Sequence, residues 1–568
     1  MKKKLFFLPF LAALAFAGCS NDDDPAAGGN ENKGDDYGYV AVNIVQPKSI
    51  GTRAAGTGFE YGTDDENKAE SGLFFIFNTD GTIYTMDNNP QSIALTTDKS
   101  GDDANNSVTP QVEKIYNAVL VIDGAETAPT AGLQIVCVLN APASLATSSV
   151  SSLSDLKAKI ADYSAHTSGT FIMSNSVYKD GDKEILGATV ATENISKSAS
   201  VALNNPVDIY VERVVAKIRA KGISSFNNQG ANPAIDGVEK NLTIKLTGIE
   251  IANIAQTSYL VKNIDGITYD WAWDATNKRS YWETVPASLT YGNKSYNTIV
   301  SDSPKDGENG TFDITKVNTT DYIQPNTSAQ KTAVLVTAEL LDGTTPCDFV
   351  YLRGGYFTPD KALALIAQYA ANNGYYKKTS AEGVTPVTYS QLATSDFEWK
   401  NNNDLMEEDA AANDGTVSTI SWLKRYEVVA RVKSNVSNLY KKNGDTYIPA
   451  TAAQINTLLA GTESSHPYVA QYYKDGKCYY FVNIDQTSVA NERKAQDAID
   501  ADAHTYDGVV RNHIYDLTLS SIKGVGTAVF DPTDVIIPER PDVENLYYLA
   551  AQIDVLAWKV VTQTVNFE

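Results

Sequence analysis

Along much of this chain apolar and polar residues alternate with a period of two, the pattern of a strand with one buried face. The run "YVAVNIV" at 39–45 puts Val40, Val42 and Ile44 on one side. From Gly72 such runs accumulate: "LFFIFN", then "TDGTIYTM" with Asp80-Gly81 as a turn, then "KIYNAVLVI" and "LQIVCVLN". "PVDIYVERVVAKIRA", 206–220, reads as one long strand. Its apolar phase shifts from Val207, Ile209 and Val211 to Val214, Ala216 and Ile218, which predicts a bulge at Glu212-Arg213, with Glu212, Arg213 and Lys217 in surface pairs. The second half supplies "NLTIKLTGIEIANI", "TAVLVTAEL", a hairpin "QYYKDGKCYYFVNI" about Asp475-Gly476, and "GVVRNHIYDLTLSSI". In the final run, "VVTQTVNFE", Val561, Val565 and Phe567 alternate with Thr562, Thr564 and Asn566, and no later turn follows to fold it back.

Helical signals are short and few. "SSLSDLKAKIADYSA" has Ser151 or Ser154 as cap, and "TPDKALALIAQYAANNG" has Thr358 as cap, Pro359 at its first position and Gly374 at its end. Thr451 and Gln454 form a capping box. Short helices among many strands predict a mainly β chain with helical insertions on β-sandwiches. The polar break "SSFNNQGANPAIDG" sets a boundary near residue 225, giving an N-terminal domain over 54–225 and a C-terminal domain over 226–530. Residues 531–568 open with Pro532, Pro538 and Pro541, which stiffen the chain and deny it sheet pairing, before the final strand.

Composition changes this picture in two ways. Hydrophobic residues make up 43% of 568 residues, enough for real cores, and 32 tyrosines against 4 methionines favour strands. A formal net charge of -23 leaves no basic stripe for phosphates and argues against nucleic acid as a partner. The four cysteines, Cys19, Cys137, Cys347 and Cys478, fit neither a zinc site nor a disulfide scaffold. Cys137 reads as core, and a Cys347–Cys478 pair is the remaining option. The first 19 residues carry Lys2, Lys3 and Lys4 and an apolar run from Leu5 to Ala17, too short to span a bilayer, so they read as a secretory signal. The signal ends in "FAGC", which resembles the bacterial lipobox, making Cys19 the expected lipidation site. The acidic "SNDDD" after it resembles a surface-export signal. Next come a polar tether, the strand at 39–45, and a loop "VQPKSIGTRAAGTG" whose lone Arg53, just before Ala54, reads either as a solvated linker residue or as a protease site that would make 20–53 a propeptide.

No catalytic constellation emerges. His166, His466, His504 and His513 are scattered, and no motif for metal hydrolysis, nucleophilic catalysis or phosphate cradling occurs. "YKDGDKEI" reads as a solvated turn rather than a calcium loop, and Glu407-Glu408-Asp409 as an exposed acidic face. No catalytic residue, cofactor or metal ligand is expected.

Taken in order, "FAGC", the strand with "TRAAG", "YVERVVAKI", "YYKDGKCYYFVNI", "GVVRNHIYDLTLSSIKGVG" and the proline-rich approach to the terminal strands make the chain resemble the fimbrillins of type V pili, in particular the short-fimbria shaft subunit. The resemblance implies two transthyretin-like β-sandwich domains and export to the outer membrane as an acylated lipoprotein precursor. It further implies a cut between Arg53 and Ala54 by an arginine-specific surface protease, removing the strand of Val40, Val42 and Ile44. Polymerisation would follow by donor-strand exchange through Val561, Val565 and Phe567. Its partners would be other copies of itself and accessory fimbrial subunits, in a surface fimbria that supports adhesion and virulence. Two other readings stand beside it. One is a surface lipoprotein that binds glycans through aromatic platforms, with Trp271, Trp273 and Trp282 as its best motif. The other is an anchor or tip subunit.

Overall fold

The computed structural model describes residues 38–47, 60, 62–100, 112–122, 132–146, 149–162, 171–287, 289–292, 294–406, 420, 422–484, 486, 506–536 and 559–567. As the alternating pattern predicts, it is mainly β. The first unit is built from β1 (Gly38–Pro47), β2 (Ser71–Phe77), β3 (Gln91–Ala94), β4 (Thr96–Ser100), β5 (Val112–Ile122), β6 (Gln134–Leu139), β7 (Ile160–Asp162), β8 (Met173–Asn175) and β9 (Val207–Arg213). Its main sheet runs β3–β2–β6–β8–β9–β1–β5–β4. The sheet closes over a core to which β2 gives Phe74 and Ile76, β6 Ile135 and Cys137, β5 Leu120 and Ile122, and β9 Ile209 and Val211. Cys137 thus lies in the core, as its strand composition predicts, and burial pushes its thiol well above the usual range. The Asp80-Gly81 turn forms as expected: Gly81 takes a φ of 83°, and Phe77 bridges to Ile83 beyond it.

The second unit contains β10 (Ala216–Asn228), β11 (Thr243–Ala252), β12 (Asn318–Ile323), β13 (Ala333–Asp342), β14 (Phe349–Leu352), β15 (Val428–Val432), β16 (Val469–Tyr473), β17 (Lys477–Asn483), β18 (His513–Ile522) and β19 (Lys559–Phe567). One sheet is ordered β12–β10–β18–β19, and β11–β13–β17 form the body of another. Ile218 of β10 and Leu517 and Leu519 of β18 share a core with Val334 and Val336 of β13 and Tyr480 of β17. A third layer, with β14, β15 and β16, packs against two helices, Pro359–Asn372 and Ala452–Ala460. Both helices begin where their caps predict: Thr358 precedes Pro359, and Thr451 and Gln454 cap reciprocally.

Three local expectations are corrected. The 206–220 run is two strands, not one with a bulge at Glu212-Arg213. The chain crosses between sheets at Val214–Val215: the Val214 N–H donates to Ile172 O, and the Val215 carbonyl accepts from Asn512 N. The phase shift therefore marks a change of sheet. Residue 225 itself lies within β10. Asp475-Gly476 is a corner rather than a hairpin, because β16 pairs with β14 and β15 while β17 pairs with β13. The helix after Ser151 is a short one, Leu153–Lys157, capped by Ser152, and Ile160–Asp162 forms β7 instead, paired with Thr257–Tyr259. Cys347 and Cys478 are free thiols.

The two units share one apolar cluster. Phe75 and Phe77, on the second face of β2, join Leu260, Trp271, Trp282 and Tyr506 in the cluster that also fills the second sandwich. Gly222 marks how closely the second unit is built: a Cβ there would meet the Ile314 carbonyl oxygen at 1.7 Å, so the position accepts no side chain.

Candidate functional site

Two terminal strands occupy unlike seats. β1 is an interior strand. It runs antiparallel to β5 from Gly38 opposite Ile122 to Gln46 opposite Lys114, and parallel to β9 from Val42 opposite Val207 to Val45 opposite Tyr210. Val40 and Val42 are each 1% exposed and lie in the first core. Ile44 sits opposite Tyr116 on one side and Ile209 on the other. Neither long neighbour is joined to β1 by a hairpin, since β5 and β9 follow it by many residues. The strand can leave without undoing a tight turn. Its departure would expose the edges of β5 and β9 across a gap one strand wide, with apolar floor residues such as Leu120 and Ile209. Open edges of this kind recruit strands.

β19 is an edge strand. It pairs in parallel with β18, from His513 opposite Lys559 to Ile522 opposite Phe567, and stands last in its sheet. Val561, Val565 and Phe567 lie opposite Tyr515, Leu519 and Ile522. The expected removable residues and the expected donor residues thus occupy different sheets. Cys19, Arg53, Ala54 and the acidic Glu407-Glu408-Asp409 run lie outside the described residues.

Between these seats is a feature the sequence reading missed. Glu212, Arg213 and Lys217 do not make surface pairs; they are 3%, 3% and 8% exposed. They sit where the chain crosses from one sandwich to the other, so the same continuity that shifts the apolar phase buries the charges. Each has partners remote in sequence. Lys217 Nζ lies 2.7 Å from Glu66 Oε1, and the Tyr322 hydroxyl also donates to Glu66. Arg213 donates through Nε to Glu66 O at 2.7 Å and through Nη1 to Asn512 Oδ1 at 3.0 Å. Glu212 meets Lys262 Nζ at 3.1 Å, and that ammonium also donates to Ser280 O at 2.7 Å. Burial pushes the Glu212 carboxyl up and the Lys262 ammonium down, against their mutual attraction. Arg511, fully buried, is held by Glu283 through Nε at 2.8 Å and reaches the carbonyls of Leu260 and Tyr259.

This cluster also fastens Glu60, Glu66 and Asn67, the first described residues after Arg53 to reach it. Glu60 grips Arg219 at 2.6 Å, and Glu66 and Asn67 are tied to β9 and β10. A chain cut at Arg53 would therefore keep Glu60, Glu66 and Asn67 docked while β1 lost its covalent link. Burial alone would raise the Glu66 carboxyl, but Lys217, Tyr322 and Arg213 outweigh it and hold the group below the usual carboxylate range. Its folded form thus favours the charged state. The stabilisation is complete above the ordinary value, about 4.3, and disappears as pH falls through the lowered one. The stability difference between the native protein and Glu66→Gln is expected to shrink as urea denaturation is moved from pH 7 towards pH 3.

Arg511→Ala leaves Glu283 buried without its cation, and is expected to cost about 3–5 kcal/mol in urea denaturation. The double change Glu283→Met with Arg511→Met is expected to recover most of that loss, since both charges are then gone.

Other candidate residues fall into structural roles. Trp271 and Trp282 are 2% and 7% exposed, with their rings 6.0 Å apart in the shared core, so they offer no platform to a sugar. Trp273 is half-buried beneath the Lys179 ammonium. His513 is buried, its Nδ1 against Arg511 O at 2.7 Å. "YKDGDKEI" is a solvated hairpin, Tyr178–Asp180 paired with Lys183–Ile185. Among the described residues no group of three or more His, Cys, Asp or Glu could hold a metal ion. None of their helices is long and apolar enough to cross a membrane.

Residues 471–564 match the family described as major fimbrial subunit protein type IV, fimbrillin, C-terminal. That stretch of the chain is similar to the C-terminal part of a fimbrillin. The matched stretch takes in β17 and β18 and ends within β19, so it holds the whole seat of the terminal strand apart from its last positions. Solved structures with which it shares a weaker likeness include a fimbrial assembly protein from Parabacteroides distasonis, 13% identical, covering 55% of this chain and 85% of that one with a TM-score of 0.27. The tip fimbrial protein Mfa3 from Porphyromonas gingivalis is 14% identical over 54% of this chain and 81% of its own, with a TM-score of 0.25. The fimbrial anchor protein Mfa2 from the same organism is 9% identical over 54% and 83%, with a TM-score of 0.22. No curated protein matches the chain. The family match over this C-terminal stretch is what connects the chain to fimbrial subunits.

Proposed function

We propose that this chain is a fimbrillin, a structural fimbrial subunit exported as a lipoprotein acylated on Cys19 and polymerised by strand exchange after a cut between Arg53 and Ala54. One observation carries the reading. β1 fills an interior slot paired on both sides, whereas β19 lies at a sheet edge with one neighbour. A terminal strand moving from such an edge into an interior slot gains a second row of backbone hydrogen bonds, at a net value of about 1 kcal/mol each. Where Val40, Val42 and Ile44 stood, Val561, Val565 and Phe567 of the next subunit would enter a slot in which a fully buried side chain of this kind contributes about 1.5–3 kcal/mol relative to an exposed one. The seat of β19 on its own β18 opposes the transfer and keeps the precursor's tail paired until a slot opens. Cutting at Arg53 also parts the body from the lipid on Cys19, so assembly and release from the membrane are one event. An arginine-specific surface protease would make the cut, with further copies of the chain and accessory subunits as the other partners.

Purified precursor treated with a trypsin-like protease tests this reading. The expected result is one preferred cut after Arg53, followed by ladders that survive mild detergent. A cleanly cut product that stays monomeric at high concentration would contradict it.

A further inference from the structure

The third layer carries a small sheet of four strands, ordered Tyr389–Ser390, Tyr375–Lys378, Leu439–Asn443 and Thr446–Pro449. Its register sets Tyr376 opposite Tyr440, Lys378 opposite Tyr389, and Lys442 opposite Tyr447. Alternate residues of a strand share a face, so all six stand on one side. The other side is accounted for. Tyr375 and Leu439 enter the helical core, Lys377 binds Asp396 at 2.7 Å, and Lys441 lies over the Tyr375 ring at 5.1 Å.

On the outer side the rings touch one another. Tyr389 and Tyr447 stack at 3.7 Å and 6°, Tyr389 meets Tyr440 edge-on at 5.2 Å, and Tyr376 meets Tyr447 edge-on at 5.6 Å. All four tyrosines are half-buried, and among the described residues no hydrogen bond takes up their hydroxyls. Lys378 and Lys442 make no ion pair among the described residues, on a chain with a net charge of -23. They stand at opposite ends of the Tyr376–Tyr440 pair, four residue rises apart, or about 13 Å. Beside them the Ala381–Thr388 loop is exposed throughout, including Val384 and Val387 at 49% and 42%. The nearby carboxylates Glu382 and Asp445 belong to the two hairpin tips, not to the face.

We propose that this face binds an acidic polysaccharide. Aromatic rings with free hydroxyls present apolar area for the C–H faces of sugars and hydrogen bonds for their hydroxyls. Two unpaired cations spaced along the platform suit anionic groups recurring along a polymer, and local positive charge on an acidic protein gives the complementarity that selects such a ligand. A single small anion would not span both lysines, and an acidic peptide would leave the tyrosine platform without its stacking partner.

The test uses the full chain and titration calorimetry with hyaluronan oligosaccharides, which carry a carboxylate on alternate sugars. Dextran oligosaccharides of equal length and polyglutamate serve as comparisons. The expected result is saturable hyaluronan binding, with dextran and polyglutamate each weaker by about tenfold or more. Lys378→Gln with Lys442→Gln is expected to weaken hyaluronan about tenfold and flatten its salt dependence. Tyr389→Ala with Tyr447→Ala is expected to abolish binding, and Tyr447→Phe, which keeps the ring, to retain part of it. Absence of hyaluronan binding by the native chain overturns the proposal, as does binding that the lysine pair leaves unchanged. Polyglutamate bound as tightly as hyaluronan would also overturn it, in favour of an acidic polypeptide.

Discussion

Removal of Val560–Glu568 is expected to abolish filaments while leaving a folded, secreted and cleavable subunit. The deletion takes away an edge strand, and an edge strand leaves its sheet closed by the next neighbour, here β18. The core beneath β18 still has Leu517 and Leu519 packed against Val334 and Val336. The monomer should therefore keep a cooperative unfolding transition, with a modest loss of stability. Assembly should fail completely, because the strand that would enter the neighbour's slot is gone and β1 is itself removed by the cut. Electron microscopy of cells carrying the deletion measures the first effect, and urea denaturation of the purified precursor the second. Normal filaments from the truncated chain would contradict the account.

Arg53→Ala is the second change with a large expected effect, and it acts at the other end. The uncut precursor keeps β1 between β5 and β9, where Val40 and Val42 remain in the core. With the link intact, a strand that slips out is returned at high effective concentration, and an incoming tail has to compete with an intramolecular rival. The variant is expected to accumulate as a membrane-bound monomer, with polymer reduced at least about a hundredfold in a detergent-resistant ladder assay. Restoring a cleavable site by Ala54→Arg in the same background should recover assembly, which separates loss of cleavage from damage to folding. Polymer at native levels from uncut Arg53→Ala chains would show that β1 need not leave.

Much of the fold was legible because strands announce themselves locally. The alternation at Val40, Val42 and Ile44, the apolar run of β2 and the capped helices at Pro359 and Ala452 all lie where sequence pattern puts them. What escaped depends on partners. A phase shift looks the same whether a strand bulges or passes to another sheet, and only the bonds of Val214 and Val215 to different units decide it. Likewise a turn at Asp475-Gly476 is compatible with a hairpin or a corner. Charges in a strand read as surface, yet Glu212, Arg213 and Lys217 are buried because Lys262, Asn512 and Glu66 arrive from distant segments. Buried, paired charges at a crossing between sheets leave the same trace in the sequence as a surface interruption of the apolar pattern. The tyrosine face has a visible sequence signature, "YYKK" at 375–378 and "LYKK" at 439–442. That the two repeats lie antiparallel, with Tyr376 opposite Tyr440, is a fact of register.

The central claim is that the slot left by β1 receives the terminal strand of another copy. A photo-crosslinking residue at Thr564, in protease-matured polymer, tests this most directly, with the linked peptides mapped by mass spectrometry. The account predicts links between subunits that land in Val112–Ile122 and Val207–Arg213, the two strands that flank β1. Links confined to His513–Ile522 of the same chain, in material that has polymerised, would contradict it.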